Sequence, residues 1–78
     1  MKLSIVSPEE TLYEGEVKSV KMQGINGKFQ VLNNHAPLIS ALGKGDIGIE
    51  EISGEEKSFA INSGLVELAK NEIHILAQ

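Results

Sequence analysis

Cysteine, tryptophan and arginine are all absent from this 78-residue chain. Without cysteine there is no disulfide framework, no thiolate zinc site and no thiol nucleophile. That lack suits a reducing cytosol without requiring one. The 7 basic residues are all lysine and face 11 acids, for a formal net charge of −4. A general nucleic-acid binder would want a basic face and phosphate-clamping arginines, so that class is set aside. Aromatics are scarce at 4%: Tyr13, Phe29 and Phe59. No apolar run approaches the roughly 20 residues of a membrane-spanning helix. Met1-Lys2-Leu3-Ser4 opens no long apolar stretch, so a secretory leader is not expected.

What remains is an ordinary globular composition, 41% hydrophobic and 23% charged. The length is about half that of a typical domain and excludes a multidomain enzyme. We read residues 1–78 as one domain, without internal repeat, linker or low-complexity tract. A domain this small, with no disulfide and no evident metal site, needs a very regular core or a partner surface.

Helix is poorly supported. The chain has 8 glycines, at 15, 24, 27, 43, 45, 48, 54 and 64, and each would weaken a helix running through it. Ser7-Pro8-Glu9-Glu10 matches a capping box, but no apolar stripe follows, so it predicts one turn at most. Strand patterns dominate. Met1, Leu3 and Ile5 alternate with polar neighbours, as do Ile47 and Ile49, Phe59 and Ile61, and Ile73 and Ile75. Between Leu12 and Met22 the phase slips, and a β-bulge at Gly15 would restore it. Turn residues separate the runs: Asn26-Gly27, Ser53-Gly54-Glu55-Glu56 and Asn71. The expected fold is an all-β, antiparallel sandwich of about seven to ten short strands in two sheets.

One segment departs from simple alternation. Asn33-Asn34-His35 lies between apolar stretches, and Pro37 belongs at a strand start or an edge. After it, Leu38, Ile39, Ala41 and Leu42 put apolar side chains on both faces. In so small a chain, an apolar outer face suggests a docking patch. On pattern alone, His35 reads as a turn residue satisfying a loop carbonyl. His74 reads as a solvated strand residue, and two histidines make a weak metal case. Gly24 and Gly27 form no phosphate loop, because no Gly-Lys-Ser/Thr follows them. Glu50-Glu51 and Glu55-Glu56 read as a charged hairpin that protects a sheet edge, not as an acid–base pair.

Several segments in order resemble a known family: Ile5-Val6-Ser7-Pro8-Glu9, Gly15-Glu16-Val17, Gly24 through Gly27, Asn34-His35-Ala36-Pro37-Leu38, Leu42 and Gly45, and Gly64-Leu65-Val66-Glu67. The ensemble resembles the N-terminal β-sandwich domain of the ε subunit family of F-type ATP synthases, over essentially the whole chain. That resemblance implies a non-catalytic central-stalk (rotor) subunit that neither binds nor hydrolyses ATP, takes no cofactor or metal, and helps couple proton flow to ATP synthesis. It implies a contact with the γ subunit through His35, Ala36, Pro37, Leu38 and Ser40. It implies a contact with the polar loops of the c-ring through Gly24, Ile25, Asn26, Gly27 and Lys28. The location implied is peripheral, on the cytoplasmic face of a bacterial plasma membrane.

The sequence departs from the family's pattern in three places. The family often has a carboxylate where Lys28 stands and a proline where Asn33 stands. Most members also continue into a C-terminal helical hairpin, whereas this sequence ends at Ala77-Gln78 just past its last predicted strand, so the hairpin's regulatory roles are not assigned. A second reading is a lipoyl or biotinyl carrier domain, with Val20-Lys21-Met22 as the modified turn. Against it, Lys21 falls inside a predicted strand. A third reading, an independent small enzyme, lacks a nucleophile–base pair or a metal set.

Overall fold

The computed structural model describes residues 1–78 and contains eight strands and no helix. In chain order they are β1 (Lys2–Val6), β2 (Thr11–Gly24), β3 (Gly27–Leu32), β4 (Leu38–Leu42), β5 (Gly45–Glu51), β6 (Glu56–Ile61), β7 (Gly64–Ala69) and β8 (Glu72–Ala77). One layer runs β4-β7-β8-β1; the other is built from β3, the second half of β2, β5 and β6. The long strand β2 belongs to both. Its first half pairs with β1, and its second half pairs with β3 and β5. The all-β sandwich expectation holds. Its pairings are antiparallel except one, since β1 lies parallel to β8.

Period-two alternation accounts for the core. Leu3, Ile5, Ile73 and Ile75 are fully buried on one layer, and Ile47, Ile49 and Ile61 are buried on the other. Sixteen buried hydrophobic residues form a single cluster between the layers. Burial of that kind, at about 25 cal/mol per Å² of apolar surface, is what holds a cystine-free sandwich together.

The bulge is not at Gly15. Leu3 pairs directly with Gly15, and the ladder is regular there. The irregularities sit on either side. Leu12 is skipped between the pairs Ile5–Tyr13 and Val6–Thr11, and Lys18 is skipped between Val17–Glu51 and Ser19–Glu50. The second slip lets odd Val17 and even Val20 and Met22 all point inward. Gly15 has another cause: a Cβ there would come within 2.9 Å of the Tyr13 hydroxyl oxygen. The glycine makes room for an aromatic ring.

The turns form where turn residues stand. At Ser7–Glu10 the predicted capping box closes a tight non-helical connection: the Glu10 N–H donates to Ser7 Oγ at 3.2 Å and the Ser7 N–H to the Glu10 carbonyl at 2.8 Å. In the β2–β3 hairpin the turn residues are Ile25 and Asn26, closed by the pair Gly24–Gly27. Gly27 has φ 131°, which side chains rarely adopt, and a Cβ on Gly24 would sit 2.9 Å from the Gly27 carbonyl oxygen. Lys70 and Asn71, at φ 52° and 60°, make the two-residue turn between β7 and β8.

Candidate protein-docking site

The residues marked by the sequence fall in two places. Gly24, Ile25, Asn26, Gly27 and Lys28 form the tip of the β2–β3 hairpin. Gly24 is buried, while Ile25 through Lys28 are exposed, with Ile25 at 65%. An isoleucine that exposed on a turn tip has no partner in this chain. His35, Ala36 and Pro37 lie in the loop from β3 to β4, and all three are exposed. His35 Nδ1 lies 2.7 Å from the Ala36 carbonyl oxygen, so the neutral ring carries its proton on Nδ1 to make that bond. The loop is held further by the His35 N–H, which donates to the Leu32 carbonyl at 3.2 Å.

Strand β4 divides the remaining marked residues from the outer surface. Leu38 is half-buried and packs against the core cluster; Ser40, on the same face, is also half-buried. Their neighbours Ile39 and Ala41 face outward, with Ile39 exposed at 69%. The outward-facing apolar side chains of β4 are therefore the ones between those singled out from sequence.

They are part of a larger feature. Ala41 pairs with Leu65 on β7, Leu65 with Leu76 on β8, and Leu76 with Val6 on β1. This row crosses all four strands of one layer on its outer face. Leu65 and Leu76 remain 43% and 55% exposed, and the row lines a shallow cleft with Ser7 and Pro8 at its end. Cross-strand neighbours on one face touch, so the four make a continuous apolar strip, with Ile39 beside it. Below the strip the face turns polar, with Glu67 opposite His74 and the His74 ring 3.7 Å from Glu72. The signal for this strip was present in the sequence. Leu65 and Leu76 are apolar residues in the polar phase of two otherwise alternating strands.

A second cluster, invisible from spacing, joins β2 to β5 and β6. The Tyr13 hydroxyl donates to Glu51 Oε2 at 2.6 Å, and Lys57 Nζ lies 3.3 Å from the same oxygen. The Tyr13 ring centroid is 5.8 Å from that of Phe59 and lies under the Lys57 ammonium. Burial, then the bond to Glu51 and nearby negative charge, push the Tyr13 phenol up to about 12 from 10.0. Chiefly the Tyr13 hydroxyl, helped by Lys57 and opposed by desolvation, holds the Glu51 carboxyl below its ordinary 4.5. A raised folded-state phenol contributes stability that is complete below pH 10.0 and is lost as the pH rises toward 12. The depressed carboxyl contributes stability present above pH 4.5 and lost as the pH falls below it. We expect Tyr13→Phe to lower the urea midpoint near neutrality and to flatten its decline between about pH 10 and 12. Equal slopes in both proteins would refute the assignment. The cluster accounts for Glu51 as a structural acid. Lys21 lies in the middle of β2, paired with Gln30 and Gly48 and away from any hairpin tip. That placement does not suit a carrier lysine, which must swing on a turn.

Known proteins match this chain over its full length. Residues 1–78 match the family model described as ATP synthase, Delta/Epsilon chain, beta-sandwich domain. An ATP synthase epsilon chain of Leptospira interrogans is 47% identical over 78 residues, covering 97% of this chain and 59% of the relative. One from Nitratiruptor is 42% identical, with 100% and 60% covered. One from Chlorobium limicola is 38% identical, with 99% and 88% covered. The chain thus spans about three-fifths of the length of the Leptospira and Nitratiruptor relatives. Among solved structures, a chain of the Euglena gracilis mitochondrial ATP synthase (OSCP/F1/c-ring) superposes with a TM-score of 0.90 at 18% identity, over 96% of this chain and 48% of that one. A chain of the Tetrahymena thermophila mitochondrial ATP synthase central stalk and c-ring superposes at 0.83 with 15% identity, over 100% and 63%. At such identities the superpositions speak for the fold.

Proposed function

Because this chain belongs to the ATP synthase Delta/Epsilon chain β-sandwich family, we propose that it is the non-catalytic sandwich domain of an ε subunit, formed by residues 1–78 and seated between the γ subunit and the c-ring. The observation that carries this reading is the outer surface of the β4-β7-β8-β1 layer with its adjoining loop. Ile39, Leu65 and Leu76 stand in water on this face, with Leu65 and Leu76 toward the Ala41 end of β4 and the exposed His35-Ala36-Pro37 loop at its other end, Ile39 lying between. An exposed apolar strip with a polar margin suits a protein contact.

The mechanics follow from the fold. A coupling that passes torque must resist slipping, so it needs stiffness and contact area. Two layers locked by an interdigitated core supply stiffness. A stable contact covers about 800 Å² on each partner, a sizeable share of the 4756 Å² this chain exposes. In this reading His35, Ala36 and Pro37 meet γ together with Ile39 and Ala41, while Leu38 and Ser40 support the strand from inside. The β2–β3 tip, led by Ile25 and Lys28, meets the polar loops of the c-ring. Those two contacts make the domain peripheral to the membrane, on the cytoplasmic side in a bacterium. Proton flow through the ring would then be coupled to ATP synthesis by transmission of rotation, with no bond made or broken here.

The test is co-purification with the γ subunit encoded by the same genome. The chain should retain γ through gel filtration, and His35→Ala should raise Kd by about tenfold, the loss typical of one well-placed interface side chain. No retention of γ by the unsubstituted chain would end the reading.

A further inference from the structure

The loop that carries His35-Ala36-Pro37 is tied to a distant turn by a single side chain. Asn71, in the two-residue turn between β7 and β8, donates from Nδ2 to Asn33 Oδ1 at 3.0 Å. Its Oδ1 accepts the Asn34 N–H, also at 3.0 Å. One carboxamide thus bonds both residues that open the β3–β4 loop. The backbone of Asn71 is anchored independently: its carbonyl accepts the Lys2 N–H at 3.2 Å, and its φ is 60°. Asn34 also has positive φ, 64°, a conformation costly for most side chains. Asparagine enters it more readily than most, and further bonds can fix it there. Here the amide bond to Asn71 and the next-residue bond from the His35 N–H to the Leu32 carbonyl do so.

We propose that Asn71 is a positioning residue: its side chain fixes Asn33 and Asn34 and so presents His35-Ala36-Pro37 to the γ subunit in one preorganised shape. The inference rests on the docking reading above for the identity of the partner, and on the two hydrogen bonds for the mechanism. The physical gain is entropic. A loop already held in its bound form loses less freedom on association, so the complex dissociates more slowly. The arrangement also gives a reason for asparagine, and not merely any turn-former, at position 71. Glycine would serve the turn equally well but would release the loop.

That substitution is the experiment. Asn71→Gly permits the positive-φ turn, keeps the carbonyl that takes the Lys2 N–H and removes the side-chain clamp, at the cost of some added backbone freedom in the turn. Hydrogen exchange on the full chain should show the Asn34 amide exchanging about tenfold faster, with core-strand amides unchanged. Dissociation from γ should accelerate about fivefold, and Asn33→Ala, which also removes the 3.4 Å bond from the Met1 ammonium to Asn33 Oδ1, should accelerate it at least as much. Unchanged Asn34 exchange would overturn the clamp. Faster exchange with unchanged γ dissociation would overturn the positioning role. Failure of the unsubstituted chain to bind γ would remove the partner, while the exchange result would still decide whether Asn71 holds the loop.

Discussion

Ile75→Ala is expected to lower the melting temperature by about 15 °C and could leave the chain partly unfolded at 37 °C. Ile75 is fully buried on β8, between Ile5 of β1 and Val66 of β7, both also fully buried. Deleting three carbons there removes apolar contact and leaves a cavity that three neighbouring strands cannot close without breaking register. Large-to-small changes of this kind cost about 2–5 kcal/mol. A chain of this size has about 4–10 kcal/mol of total stability, with no disulfide to limit the unfolded state. In a domain of this length each kcal/mol moves the melting point by about 4–8 °C. Thermal unfolding followed by far-ultraviolet circular dichroism measures it. A fall of less than about 5 °C would mean that the two layers do not share one cooperative core.

Ile39→Lys should do the opposite: leave the fold alone and weaken the assembly by about 30-fold or more. Ile39 is exposed at 69% and stands directly across from Glu67 on β7. A lysine there gains an opposite charge across the strand pair, so the isolated domain should lose little. Against a partner, the same ammonium must be stripped of water in the centre of an apolar contact. The comparison is γ affinity by titration calorimetry alongside the melting point. Leu38→Glu makes an instructive contrast, because Leu38 packs on the core and its loss should damage the fold first. Unchanged γ affinity in Ile39→Lys would move the contact off this face.

How far the sequence could be read depends on the range of the interactions involved. Alternation is a local property, and it placed Leu3, Ile5, Ile47, Ile49, Ile73 and Ile75 inside correctly. Gly54 and Asn71 sit in the turns their residue types predicted. The phase slip in β2 was detectable, but its position was not, because a bulge is defined against a partner strand. Leu12 and Lys18 are skipped only with respect to β1 and β5. Gly15 looked like the bulge because glycine often marks one, whereas its real neighbour is the Tyr13 ring two residues back. On β4 the sequence marked Leu38 and Ser40, and pairing with β7 turns both inward, leaving the unmarked Ile39 and Ala41 on the outer face.

The sequence alone settled that this is a β-rich chain with period-two strands, and its ordered motifs pointed to the family. These follow from residue type and nearest neighbours. The tertiary structure decided which surfaces exist. The strip from Ala41 through Leu65 and Leu76 to Val6 draws one residue from each of four strands, with β1 paired to β8 across almost the whole length of the chain. The Tyr13–Glu51 and Asn71–Asn33 bonds bridge 38 residues each. Contacts at such separation are set by how strands order themselves around a shared core, a cooperative outcome that no local window of residue types contains.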